Sequence, residues 1–67
     1  MELDLTAIKI EMARKNWNYK DLAEHSDLSY STLLSIMAGS RSGSIQTMGK
    51  IAKGLGVSAV NILKDED

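Results

Sequence analysis

The side chains of this 67-residue chain that could do chemistry are mostly hydroxyls, and they are arranged as surfaces. Tyr30, Ser31, Leu34 and Ser35 fall at i, i+1, i+4 and i+5, a spacing that gathers residues on one side of a helix. Ser31 and Ser35 can each donate or accept a hydrogen bond, Tyr30 adds a hydroxyl and a ring, and Leu34 adds an apolar tip. A second group suits anions. It comprises Tyr19, Lys20, Ser40, Arg41, Ser42 and Ser44, the last opening a helix whose first N–H groups have no intrahelical acceptor. The materials of a reaction centre are missing: there is no Cys, one histidine (His25), no glycine-rich phosphate loop and no spaced carboxylate pair. No enzymatic activity, metal, cofactor or small-molecule ligand is expected.

The elements that must hold these groups can be read from apolar spacing. Leu5, Ile8 and Met12 form the stripe of a first helix over 5–15, with Asp4 as N-cap and Arg14-Lys15 at the negative end of its dipole. Ile10 lies off that stripe, with packing on the C-terminal helix as its only evident use. Three further helix starts share one pattern: an apolar residue, a capping Asn or Ser, three residues and another apolar residue. They are Trp17-Asn18-Tyr19-Lys20-Asp21-Leu22, Leu28-Ser29-Tyr30-Ser31-Thr32-Leu33 and Val57-Ser58-Ala59-Val60-Asn61-Ile62. Each is a hydrophobic staple around an N-cap, Asn18 with Asp21 has the form of a capping box, and each cap contributes roughly 1 kcal/mol. Ser44 starts another helix with the stripe Ile45, Met48, Ile51, Ala52 and Leu55, closed by Gly56.

These signals predict an all-α fold of five helices, over 5–15, 19–26, 30–38, 45–54 and 59–64, forming one domain over 1–67 with no strands. Trp17 belongs to the core through its staple position, the four methionines are core filler, and His25 is a surface residue. A helix ending near Ser26, the turn Asp27-Leu28-Ser29 and a helix from Tyr30 make the unit that places its second helix in the DNA major groove.

Composition bounds this expectation. Eight basic and nine acidic residues leave a formal net charge of −1, whereas nucleic-acid binders usually carry a basic footprint. Five of the acids (Glu2, Asp4, Asp65, Glu66 and Asp67) lie at the two ends, and without them eight basic residues face four acidic ones. Modest non-specific affinity for nucleic acid is therefore expected. The absence of Cys fits a reducing cytoplasm, no apolar run reaches the roughly 20 residues of a membrane span, and no signal-peptide pattern opens the chain. A cytoplasmic, nucleoid-associated protein is expected.

With the residues placed, the chain resembles the Xre/Cro family of phage and bacterial helix-turn-helix repressors. The resemblance is carried by Leu22-Ala23-Glu24, Leu28-Ser29, Ser31-Thr32-Leu33, Ile36, Gly39-Ser40-Arg41, Ser44-Ile45, Ile51-Ala52-Lys53 and Leu55-Gly56-Val57-Ser58, and it runs from about Ile8 to Leu63. It implies a lambda-repressor-like five-helix domain that binds a two-fold double-stranded DNA operator, usually as a homodimer. Three departures stand out. Asp27 occupies a turn position often held by Gly; Tyr19 replaces the Gln that often opens helix two on a phosphate; and Met12 with Met37 replaces an Arg–Glu pair, a change that can be neutral or stabilising.

In the family, the stripe formed by Tyr30, Ser31, Leu34 and Ser35, opposite Leu33, Ile36 and Met37, faces the major groove. Its hydroxyls suit base edges and Leu34 suits a thymine methyl, yet it contains no Arg, Lys, Asn or Gln. Shape and water-mediated recognition would carry more of the specificity. Arg41 is the leading phosphate contact, supported by Tyr19, Lys20, Ser40, Ser42 and Ser44. Gln46, Lys50 and Lys53 share a face of the fourth helix that reads as solvated surface. Val60 and Leu63 are the expected dimer contacts, since with Ile62 they give the last segment more apolar surface than one inward face uses. The competing reading is a protein-interaction module of the same fold, antirepressor- or antitoxin-like, favoured by the net charge and the uncharged stripe.

Overall fold

The computed structural model describes residues 2–39 and 44–64. In chain order the elements are β1 (Glu2–Leu3), α1 (Leu5–Lys15), α2 (Tyr19–His25), α3 (Tyr30–Met37), α4 (Ile45–Leu55), a 3-10 turn (Ala59–Ile62) and β2 (Leu63–Lys64).

Each α-helix starts where a side chain replaces a missing backbone acceptor. Asp4 Oδ1 accepts from the Ala7 N–H at 3.1 Å. Asn18 Oδ1 accepts from Asp21 N–H at 2.8 Å while Asp21 Oδ2 accepts from Asn18 N–H at 3.0 Å, completing the capping box. Ser29 and Ser44 cap α3 and α4 through the N–H groups of Thr32 and Thr47, both at 3.2 Å.

The helices end as regularly as they begin. After α1, α2 and α4 the backbone turns through a left-handed residue, Asn16 (φ 59), Asp27 (φ 56) and Gly56 (φ 75) respectively. In each case two N–H groups fold back onto the helix. Asn16 and Trp17 donate to Ala13 and Met12, Asp27 and Leu28 to Glu24 and Ala23, and Gly56 and Val57 to Lys53 and Ala52. This is the Schellman arrangement, with an apolar residue following the left-handed one.

The helices enclose one core of Ile8, Met12, Leu22, Ala23, Leu33, Met37, Ile51, Ala52, Leu55 and Ile62, with Leu3, Leu5, Trp17, Tyr19, Leu28 and Val57 packed at its edge. Met12 and Met37, which stand in place of the Arg–Glu pair that the resemblance would imply, are both buried in this cluster. Ile10 is 51 % exposed and outside it, so it does not pack inward on the last segment.

The last segment departs from the sequence expectation. A fifth helix over 59–64 does not form; four α-helices are followed by the 3-10 turn and β2, which pairs antiparallel with β1 in the register Glu2↔Lys64 and Leu3↔Leu63. The described residues are therefore all-α apart from a ribbon of two residues per strand. The reason is a balance of weak local and stronger non-local terms. Ser58 makes no side-chain cap bond, and Val60, Asn61 and Ile62 are poor helix formers. Meanwhile the Asp4 N–H claims the Ile62 carbonyl at 2.8 Å. Two residues per strand are also too few to leave the alternation by which a strand is read from sequence.

One close approach fixes α2 against α4. A Cβ on Gly54 would lie 2.6 Å from Ser26 Oγ and 2.8 Å from the His25 carbonyl oxygen, so the end of α2 rests on bare α4 backbone. Ser26 is buried and its Oγ has no hydrogen-bond partner, filling the space a side chain at 54 would need.

Candidate nucleic-acid interface

The site is α3 and the turn before it. Ser26, Asp27 and Leu28 donate their N–H groups to Leu22, Glu24 and Ala23, which turns the chain directly onto the Ser29 cap. Asp27 reaches the left-handed conformation without glycine, a tolerance Asp shares with Asn. The Ser29 hydroxyl accepts from Thr32 N–H and donates to Thr32 Oγ1 at 2.7 Å. Leu28 packs on the core edge, so the turn is held from both sides.

The faces of α3 then follow from its period. Leu33, Ile36 and Met37 point inward and are buried. Tyr30 and Ser31 are exposed, and Leu34 and Ser35 are half-buried, so the four expected reading residues lie along the side turned away from the core. Tyr30, at 51 % exposure, is the largest side chain there. This face has no formal charge, and α3 carries neither an acid in its first turn nor a base in its last. It can offer hydroxyls, a phenol ring and an isobutyl group, a set that forms hydrogen bonds and methyl contacts but does not attract an anion from a distance.

The expected phosphate-binding residues are divided. Lys20 is exposed at the start of α2, while Tyr19 beside it is half-buried with its side chain against the core. Ser44 is exposed, but its Oγ is committed to the Thr47 N–H and lies 3.1 Å from Thr47 Oγ1. Ser40, Arg41 and Ser42 lie outside the described residues. The proposed dimer residues separate as well: Val60 is 72 % exposed, whereas Leu63 is half-buried and paired through β2 with Leu3. Ile62, the third apolar residue of that segment, is fully buried.

Two features escaped the sequence. His25 is exposed as expected, yet its ring stacks on Trp17 with centroids 4.2 Å apart and planes 12° from parallel. Lys15 stands over the same indole at 5.8 Å. The pairing could not be read from spacing, because Trp17 precedes the cap of α2 and His25 is its last residue. The contact at Gly54 was equally hidden, since it depends on how α4 crosses α2. The left-handed residue before each staple was visible in principle: Asn16-Trp17-Asn18, Asp27-Leu28-Ser29 and Gly56-Val57-Ser58 align as triplets of turn former, apolar residue and cap.

Among the described residues no helix is long and apolar enough to cross a membrane. A helix-turn-helix family model matches residues 8–61, most of the chain. No curated protein and no solved structure matches it.

Proposed function

This chain belongs to the Xre/Cro-type helix-turn-helix family of DNA-binding transcription regulators, and from that premise we propose that it is a repressor reading a specific duplex through α3. The observation that carries this reading is the locked entry to α3. A Schellman turn, a serine cap and three buried side chains fix α3 with Tyr30 and Ser31 exposed and Leu34 and Ser35 half-buried beside them. Side chains on a pre-formed helix that fits the major groove can meet base edges without the cost of ordering the backbone. Phosphate contacts from Lys20, Tyr19, Ser40, Arg41, Ser42 and the start of α4 at Ser44 would fix the register.

The proposed working form is a homodimer on a two-fold operator. Val60, exposed beside the ribbon that holds Leu63, supplies the apolar contact, and the two recognition helices would stand roughly 34 Å apart. A protein of this kind works in the cytoplasm, on the nucleoid. A monomer by sedimentation in the presence of operator DNA would remove the dimer from this account.

Selection from random duplexes with purified protein, followed by salt titration, tests the reading. The expected result is a preferred sequence whose affinity falls steeply with salt, with a shallower slope for Arg41→Ala. The absence of saturable binding to any duplex at low salt would refute it. A second reading, a protein-interaction module of the same fold, is favoured by the uncharged outer face of α3 and would then take its place.

A further inference from the structure

The net charge of −1 conceals a sharp division along the chain. All nine acidic residues lie at or before Asp27 or after Lys64, so residues 28–64 contain no acid and four cations: Arg41, Lys50, Lys53 and Lys64. The fold turns part of this acid-free stretch into a surface. On α4, Met48, Ile51, Ala52 and Leu55 are buried, leaving Gln46, Gly49, Lys50 and Lys53 exposed at i, i+3, i+4 and i+7 on the opposite side.

No ion pair among the described residues engages Lys50 or Lys53, although α2, which packs against α4, carries Asp21 and Glu24. Among the described residues the ion pairs gather on α1, where Glu11 Oε2 and Oε1 lie 3.9 Å from Arg14 and Lys15. Neither α3 nor α4 contains an acid that could neutralise Lys50 or Lys53. No acid stands at i±3 or i±4 from Lys50 or Lys53, so neither has an opposite charge within reach on its own helix.

We propose that the outer face of α4, formed by Gln46, Lys50 and Lys53, is a second DNA-backbone surface, adding phosphate contacts to those made around α3. It supplies the positive charge that the α3 face lacks, so groove reading and electrostatic attraction are divided between two helices. The proposal rests on the reading of the chain as a DNA-binding protein.

The test compares wild type with Lys50→Gln, Lys53→Gln, the double variant and the charge-restoring Lys50→Arg. Arg14→Gln serves as a control, since Arg14 is already paired with Glu11. Affinities for a selected duplex and for a random-sequence duplex are measured from about 50 to 200 mM salt. Each glutamine variant should lower the salt slope by about 1 and the double by about 2, equally on both duplexes. Lys50→Arg and Arg14→Gln should keep the wild-type slope. These are surface changes, and an unchanged far-UV CD spectrum verifies the fold. A wild-type slope in the double variant, or a loss confined to the selected duplex, overturns the proposal while leaving DNA binding intact. Failure of wild type itself to bind either duplex overturns both.

Discussion

The turn between α2 and α3 and the turn after α4 are built from the same parts and lead to different structures. Asp27-Leu28-Ser29 and Gly56-Val57-Ser58 each place a left-handed residue, an apolar residue and a serine in order, and each closes with the same pair of backbone hydrogen bonds. After Ser29 the chain enters an α-helix; after Ser58 it makes a four-residue 3-10 turn and then pairs as a strand. The difference begins at the serine. Ser29 Oγ accepts the Thr32 N–H, whereas the Ser58 side chain makes no cap bond and only its carbonyl oxygen accepts, from the Asn61 N–H at 2.9 Å. It is completed from a distance, because β1 and the Asp4 N–H compete for the backbone of residues 62–64. A good exit from one helix does not by itself start the next one.

The largest test of this contrast is Ile62→Ala. Ile62 is fully buried although its segment is not an α-helix, so burial, not local conformation, should hold that end in place. Truncation should cost about 2–5 kcal/mol in urea unfolding. A loss under ~1 kcal/mol would mean that the ribbon hangs on the surface. Gly56→Ala comes next. A Cβ there meets no atom within 4 Å, so the penalty is that of the left-handed backbone alone, about 1–2 kcal/mol. A neutral result would mean that the two turns do not share their geometry.

The serines give the smallest and most discriminating pair. Ser29→Ala should cost about 1 kcal/mol through the lost cap, measured by the urea midpoint. Ser58→Ala should stay within ~0.5 kcal/mol, because no cap bond is there to lose. Equal costs at the two positions would break the comparison. On the DNA side, Leu34→Ala should alter the preference among selected duplexes by about 1–3 kcal/mol while leaving the salt slope unchanged, which separates base reading from phosphate contact.

What the sequence determined is what depends on residues three or four positions apart. The caps at Asp4, Asn18, Ser29 and Ser44, the inward stripe of α3 and the stop at Gly56 are all short-range arrangements, and each was legible from residue type and spacing. The helix-turn-helix itself belongs to this class, since its turn closes on hydrogen bonds within six residues. Tertiary structure alone decided the rest. Residues 59–64 carry a staple pattern with weak helix propensity, and their conformation was settled by a strand some sixty positions away, from Glu2 to Lys64. The stacking of His25 on Trp17 joins the end of α2 to the residue before its cap, the seating of Ser26 on Gly54 arises where the ends of α2 and α4 meet, and no local period encodes either contact. Where local preference was strong it prevailed; where it was weak, a buried isoleucine and one donated N–H decided the outcome.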